Sequence, residues 1–181
     1  FTCLPTTMRS LSLTLSSIPF AARLTDIKSI LDSWTCLQSL CLDHIDANLP
    51  WDADEWHVMP KSLTCLQLDF PRTTRLPVAP TGPSNLSTLI MKTVNTTWNP
   101  DWFKNGYFNA VKVLKIWTGQ KEGLQILSHL PPHLEVLVID TRSDTRLNAS
   151  ADVFGTWPAS LHSVYHSLRL EFGSKPPQIM D

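Results

Sequence analysis

Four cysteines have the widest chemical repertoire of the side chains in this sequence. They are Cys3, Cys36, Cys41 and Cys65. No two of them have the C-x-x-C spacing that zinc sites and dithiol redox centres commonly use. We therefore predict neither a structural zinc site nor a redox motif.

The histidines are not spaced for metal binding or catalysis. His129 and His133 flank two prolines, so they do not share a helix face. His162 and His166 would share a strand face, but at ~13 Å apart they cannot hold one metal ion. His57 stands in a Trp-rich segment. With no Ser-His-Asp pattern, paired carboxylates or Gly-rich phosphate loop, we predict a protein without catalysis, metal or other cofactor.

Three Asn-x-Ser/Thr sequons are candidate glycosylation sites, and they begin at Asn85, Asn95 and Asn148. A chain rich in Ser and Thr contains one or two such sequons by chance. The three sequons therefore leave a secreted or cell-surface location open without establishing it.

Length and charge restrict the class of protein. The chain has 181 residues, of which 43% are hydrophobic and 17% charged, and its net charge is -1. This length is enough for one domain with a sizeable core. The near-neutral charge argues against nucleic-acid binding, and no apolar run reaches the ~18 residues of a membrane-spanning helix. Because the chain begins with Phe1 inside a continuing pattern, we interpret it as a fragment or a processed chain.

One pattern, apolar-x-x-apolar-x-apolar, recurs along nearly the whole chain at intervals of 23 to 29 residues. Its seven copies begin at Met8, Leu37, Leu63, Leu86, Val111, Leu134 and Leu161. The last copy has His166 at its third apolar place, where an overlapping frame from Tyr165 competes. Proline stands three residues before five of the copies, at Pro5, Pro60, Pro83, Pro131 and Pro158. Proline suits the entry to a strand because it has no N–H to donate.

These copies predict parallel strands stacked side by side. Alternate strand residues point to opposite faces, so the second and third apolar residues of a copy face one side. A single copy cannot bury them without its neighbours. Helical spacing in residues 20–34 and 121–130 predicts short helices between strands. An ordinary α/β protein is the alternative, but the regular period and the recurrent proline favour a repeat protein.

The copies resemble the leucine-rich repeat family over nearly the whole chain. Their Pro-led form is also similar to repeats of secreted bacterial effectors, FNIP-type proteins and F-box-associated repeats. The sequence departs from the family where Asn or Cys usually stands, three residues after the last apolar position. Those places hold Ser16, Ile45, Pro71, Val94, Gly119 and Arg142. The resemblance therefore does not extend to the family's internal Asn ladder.

The resemblance implies an α/β fold, a leucine-rich repeat solenoid of about seven repeats. A parallel β-sheet would form its concave face, with irregular loops and short helices on the convex face. We predict one domain over residues 1–172 and a C-terminal tail or linker over residues 173–181. In this arrangement Cys41 and Cys65 lie on adjacent strands but two residues out of register, about 8 Å apart. Disulfides rarely bridge more than ~7 Å, so we predict free thiols, which favours an intracellular protein over a secreted one.

The concave face carries the residues between the apolar anchors, and solenoids usually bind partners there. Its later half combines aliphatic side chains with a tryptophan and charged neighbours, which is typical of protein contacts. A covering loop, or the preference of strands for β-branched residues, is the alternative explanation. The predicted partner-binding residues are Ile90, Lys92, Val113, Lys115, Trp117, Val138 and Asp140.

The sequence thus predicts a non-catalytic module that binds a protein partner on its concave face. Three alternatives remain open. The chain could be the substrate-recognition arm of an F-box-type ubiquitin ligase, a structural subunit of a large assembly, or an extracellular receptor or surface fragment.

Overall fold

Each of the seven copies supplies one β-strand in the computed structural model. The structure describes residues 5, 7–14, 34–43, 59–70, 85–93, 103, 108–118, 129–141 and 157–166. The strands are β1 (Ser10–Thr14), β2 (Ser39–Asp43), β3 (Cys65–Phe70), β4 (Thr88–Thr93), β5 (Val113–Thr118), β6 (Val136–Thr141) and β7 (Ser163–His166).

The seven strands form one sheet in chain order, β1-β2-β3-β4-β5-β6-β7, and every neighbouring pair is parallel. The prediction of parallel strands in sequential order is confirmed, and the arrangement is compatible with a solenoid-like repeat. The described residues are strands and the turns before them, with almost no helix. The segments with helical spacing lie almost wholly outside the described residues, as does the tail at 173–181.

One face of the sheet carries the core because the apolar anchors, two residues apart along each strand, all point to the same side. Leu66 and Leu114 are both 0% exposed, as predicted. The second anchors of all strands are in register from Leu11 to Val164, so they stack into one continuous row. This row of anchors is less covered at the two end strands, where Leu11 and Val164 are only half-buried. Neighbouring repeats therefore supply the burial, as expected when one unit cannot bury its anchors alone.

A tight turn opens every strand whose preceding residues the structure describes, which is all of them except β4, and it sets the register of the strand. The N–H of the first anchor donates to the carbonyl three residues earlier, for example from Leu63 to Pro60 at 2.9 Å. Two copies have an aromatic residue in place of proline, and the carbonyls of Trp34 and Phe108 accept the same bond. Both aromatic side chains are buried, each 2% exposed. This position therefore both closes the turn and fills the core.

A backbone ladder joins each turn to the next repeat. The carbonyl of Gln38, just after a first anchor, accepts two hydrogen bonds of 2.9 Å from the N–H groups of Thr64 and Cys65. The same two-donor pattern recurs at the other five junctions between strands. A slip of one residue between neighbouring strands would break this ladder. It would also turn the leucines to the wrong face, so both effects fix the register.

Side chains just before the first anchor add a second link between repeats. The Ser62 hydroxyl donates to the carbonyl of Leu37 at 2.7 Å, and Ser160 donates to Leu134 at 2.8 Å. The Asn85 amide donates to the carbonyl of Lys61 at 3.1 Å. These bonds lie on the entry side of the strands. Each bond joins a side chain of one repeat to a backbone carbonyl of the repeat before it. An Asn ladder would make the same kind of link at the end where the strands exit.

The competing frame at the seventh copy is resolved in favour of the first one. Val164 is in register with Leu137, and Tyr165 is in register with Val138 on the opposite face. The turn bond from Leu161 to Pro158, 3.0 Å long, fixes this register before the strand begins.

Candidate functional site

The sheet face opposite the leucine core is the predicted concave face, and we call it the open face. Strand register arranges its side chains in three rows. The first row is Ser10, Ser39, Cys65, Thr88, Val113, Val136 and Ser163. The second row is Ser12, Cys41, Gln67, Ile90, Lys115, Val138 and Tyr165. The third row is Thr14, Asp43, Asp69, Lys92, Trp117 and Asp140.

All seven residues predicted to bind a partner lie on the open face, on three adjacent strands. They are Ile90 and Lys92 on β4, Val113, Lys115 and Trp117 on β5, and Val138 and Asp140 on β6. Each of them is half-buried. Strand alternation alone predicts exposed side chains for Gln67 and Lys115 on this face. Both are half-buried instead, because parallel strands only ~4.8 Å apart cover one another's side-chain stems.

A lysine rests on the tryptophan of the third row. The Nζ atom of Lys92 lies 5.6 Å from the centroid of the Trp117 ring. The two residues are register partners on β4 and β5, so the contact follows from the strand pairing. Strand alternation and register predict that Lys92 can reach this ring, and the distance confirms it. Such a contact is worth about 0.5–1 kcal/mol at an exposed site, enough to favour one orientation of the indole.

Aliphatic and aromatic side chains surround this pair on the second and first rows. Ile90 and Val138 flank Lys115, with Val113 and Val136 behind them. Tyr165 continues the second row on β7 and is 61% exposed. Tyr165 was not among the residues predicted to bind a partner, although the frame that begins at Leu161 puts it on this face. The proline three residues before Leu161 was the signal that could have decided between the frames.

The earlier half of the open face is polar. The Cys41 thiol donates to Oδ1 of Asp43 at 3.4 Å, and Nε2 of Gln67 donates to the same oxygen at 3.4 Å. Burial raises the pKa of the Cys41 thiol, and the nearby Asp43 carboxylate acts in the same direction. A thiol held protonated is a poor nucleophile and a poor metal ligand. The Cys41 thiol therefore offers a hydrogen bond to this part of the face rather than reactive sulfur.

The described cysteines, Cys36, Cys41 and Cys65, are all unpaired. Cys65 is in register with Ser39, and Cys41 is in register with Gln67. The predicted two-residue offset between the two strand cysteines is confirmed. Cys3 lies outside the described residues.

We expect a thiol titration of the unfolded protein, without reductant, to count four free cysteines. In the folded protein, Cys41 should react with iodoacetamide at pH 8 more slowly than after unfolding, because burial raises its pKa and lowers its thiolate fraction. Mass spectrometry of the alkylated peptides would measure both quantities. A count of two or fewer would mean that disulfides form, and it would favour the secretory route.

The other chemical candidates are only partly covered by the described residues. Asn95, Asn148 and His57 lie outside them. The amide nitrogen of Asn85, the atom that a glycan would use, is the one that donates to Lys61. Within the described residues, no group of three His, Cys, Asp or Glu side chains could hold a metal ion. In the same part of the chain, no helix is long and apolar enough to cross a membrane.

Comparisons with known proteins give no match for this chain. No family model matches it, and neither a curated protein nor a solved structure does.

Proposed function

We propose that this chain is a solenoid of the leucine-rich repeat type. Three features support the assignment. The strands are parallel and follow chain order, one anchor pattern generates them all, and the unit length of 23 to 29 residues matches the range of that family, roughly 20–29 residues. The side-chain links found before three of the first anchors, such as Ser62 to Leu37, would stand in for the missing Asn ladder.

Its function, we propose, is to bind another protein on the open face of β4 to β7, without catalysis. The observation that carries this proposal is the position of Trp117. It lies in the third row of the open face, half-buried, with the ammonium group of Lys92 over its ring. Tryptophan is enriched among the residues that dominate binding energy, and an indole that is already oriented loses little freedom when a partner packs on it.

The surroundings of Trp117 have the composition of an interface. Ile90 and Val138 supply half-buried apolar surface, and Tyr165 supplies an exposed aromatic ring. Charged residues lie beside them, with Lys115 between the two aliphatic residues. Interfaces commonly combine an apolar, aromatic centre with a polar rim.

A photo-crosslinker placed on the open face tests the proposal. We expect benzoylphenylalanine in place of Lys115 to give one discrete crosslinked product in lysate of the native cell, and this product should disappear when Trp117→Ala is added. The matched control carries the crosslinker at Asn109, an exposed residue in the turn before the same strand. Equal products from both positions, or a product that survives Trp117→Ala, would count against binding at this face.

A further inference from the structure

We propose that the partner brings a carboxylate side chain, from aspartate or glutamate, to the middle of the open face, where it pairs with the ammonium group of Lys115. This inference rests on the proposed protein-binding function and adds the chemistry of the bound group. The partner segment should carry aliphatic residues on both sides of that carboxylate, because the surface around Lys115 is aliphatic.

Lys115 is the only charged side chain in the first and second rows of the open face. The other places of these two rows hold Ser, Thr, Cys, Gln, Tyr and aliphatic side chains. Its register partners are Ile90 on one side and Val138 on the other, both half-buried, with Cα atoms about 4.8 Å away. Val113 lies two residues earlier on the same strand and the same face. The ammonium group therefore stands on an aliphatic surface.

The charged groups of the third row already interact within the protein. The Asp43 carboxylate accepts two hydrogen bonds, and the Lys92 ammonium lies over an aromatic ring. Asp69 and Asp140 each take part in an interaction as well. Within the described residues, by contrast, no hydrogen bond or ion pair involves the ammonium of Lys115. On the open face, this is the charge that a partner can pair with.

A protein that covers the open face has to satisfy this ammonium. Ile90 and Val138 flank Lys115 on both sides, so a partner that packs on these two side chains also covers the lysine between them. Taking a charged group out of water is costly unless the group is paired. A carboxylate gives the strongest pairing, because a hydrogen bond between two charged groups is roughly twice as strong as one between neutral groups.

The neighbouring charges do not oppose an anionic guest at Lys115. Lys92 on β4 and Asp140 on β6 are each one strand and two residues away, so their Cα atoms both lie about 8 Å from that of Lys115. Their opposite charges largely cancel at this place. Asp69 on β3 is about 12 Å away, beyond the screening length of about 8 Å at physiological salt. The guest therefore meets mainly the positive charge of Lys115.

Peptide selection tests this inference without a known partner. Random heptapeptides displayed on phage are selected on the folded protein, and we expect the enriched sequences to carry Asp or Glu between aliphatic residues. The strongest binder is then synthesised with both ends capped, once with its acidic residue and once with the corresponding amide. Titration calorimetry should show about 10-fold tighter binding of the acidic peptide, because the amide peptide lacks a hydrogen bond between charged groups.

Two lysine variants locate the preference. Lys115→Met removes the ammonium and keeps an aliphatic stem, so it should abolish most of the preference for the acidic peptide. Lys61→Met is the matched control, because it makes the same change in net charge at an exposed lysine in the turn before β3. The preference should persist in this control.

Four results would each overturn the inference: no enriched peptide, enriched peptides without a carboxylate, equal affinity of the two synthetic forms, or a preference that persists in Lys115→Met. The proposed function is decided separately, by crosslinking from Lys115 and Asn109. The crosslinker at Lys115 replaces the ammonium, so its product reports contact with the open face and not the ion pair. A covalent product accumulates even when binding is about 10-fold weaker, the loss expected without the ammonium.

Discussion

Replacing Leu114 with alanine should lower the free energy of unfolding by about 2–5 kcal/mol, the usual range for a leucine deleted from a closed core. Leu114 is 0% exposed and lies in the row of second anchors, between Leu89 and Leu137, which are also 0% exposed. Strands on both sides hold these neighbours in place, so they cannot collapse into the cavity. Urea unfolding followed by circular dichroism would measure the change.

Leu11→Ala is the matched control for this prediction. Leu11 holds the same place in β1 but is only half-buried, with one described strand beside it. Unfolding exposes less apolar area at Leu11 than at Leu114, and the residues around Leu11 can relax into the space left by the substitution. The free energy of unfolding should therefore fall by less than about 2 kcal/mol. If Leu11→Ala costs as much as Leu114→Ala, burial does not depend on stacked neighbours, and the repeat interpretation of the core is wrong.

Replacing Trp117 with alanine should weaken binding of the crosslinked partner by about 2 kcal/mol or more, a loss of roughly 30-fold. The indole would be the anchor of the interface, and its removal also frees Lys92 from the ring. Stability should change by less than about 1 kcal/mol, because Trp117 is on the open face and half-buried. Titration calorimetry with the purified partner measures the binding, and thermal melting measures the stability.

Trp34→Ala provides the contrast for the same type of residue. Trp34 is buried, 2% exposed, and closes the turn before β2, so its loss should lower the melting temperature clearly. Trp34→Ala should weaken binding of the partner only to the extent that it unfolds the protein. If Trp117→Ala lowers stability as much as Leu114→Ala and leaves binding intact, Trp117 is a core residue and the open face is not the interface.

The strand order, the register and the core were accessible from the sequence. The anchor pattern predicts all three. A period of two residues determines the face of the sheet on which each side chain lies, and the recurring spacing determines which strands are neighbours. The contact between Lys92 and Trp117 followed from the same register. The seven predicted binding residues were thereby grouped on one face, although their role in binding is still a prediction.

Other features depended on details that the pattern does not encode. Trp34 and Phe108 close turns where other copies use proline, and an apolar residue at that place was not recognised as equivalent. The bond from Ser62 to Leu37 was not predicted, because the family resemblance puts a ladder at the exit of the strand and not at its entry. The half-buried state of Lys115 depends on how neighbouring stems pack, which strand alternation alone does not give.

The chain-order sheet has a mechanical consequence. Each described strand pairs only with the strands before and after it, and the hydrogen bonds point along the direction in which repeats stack. Tension between the two ends of the chain would act along those bonds and open them one junction at a time, as in unzipping, instead of loading all strands in shear. Each opened junction would release 23 to 29 residues, roughly 80–100 Å of extended chain. Such a molecule would lengthen in regular steps at low force and shorten again as its repeats re-pair.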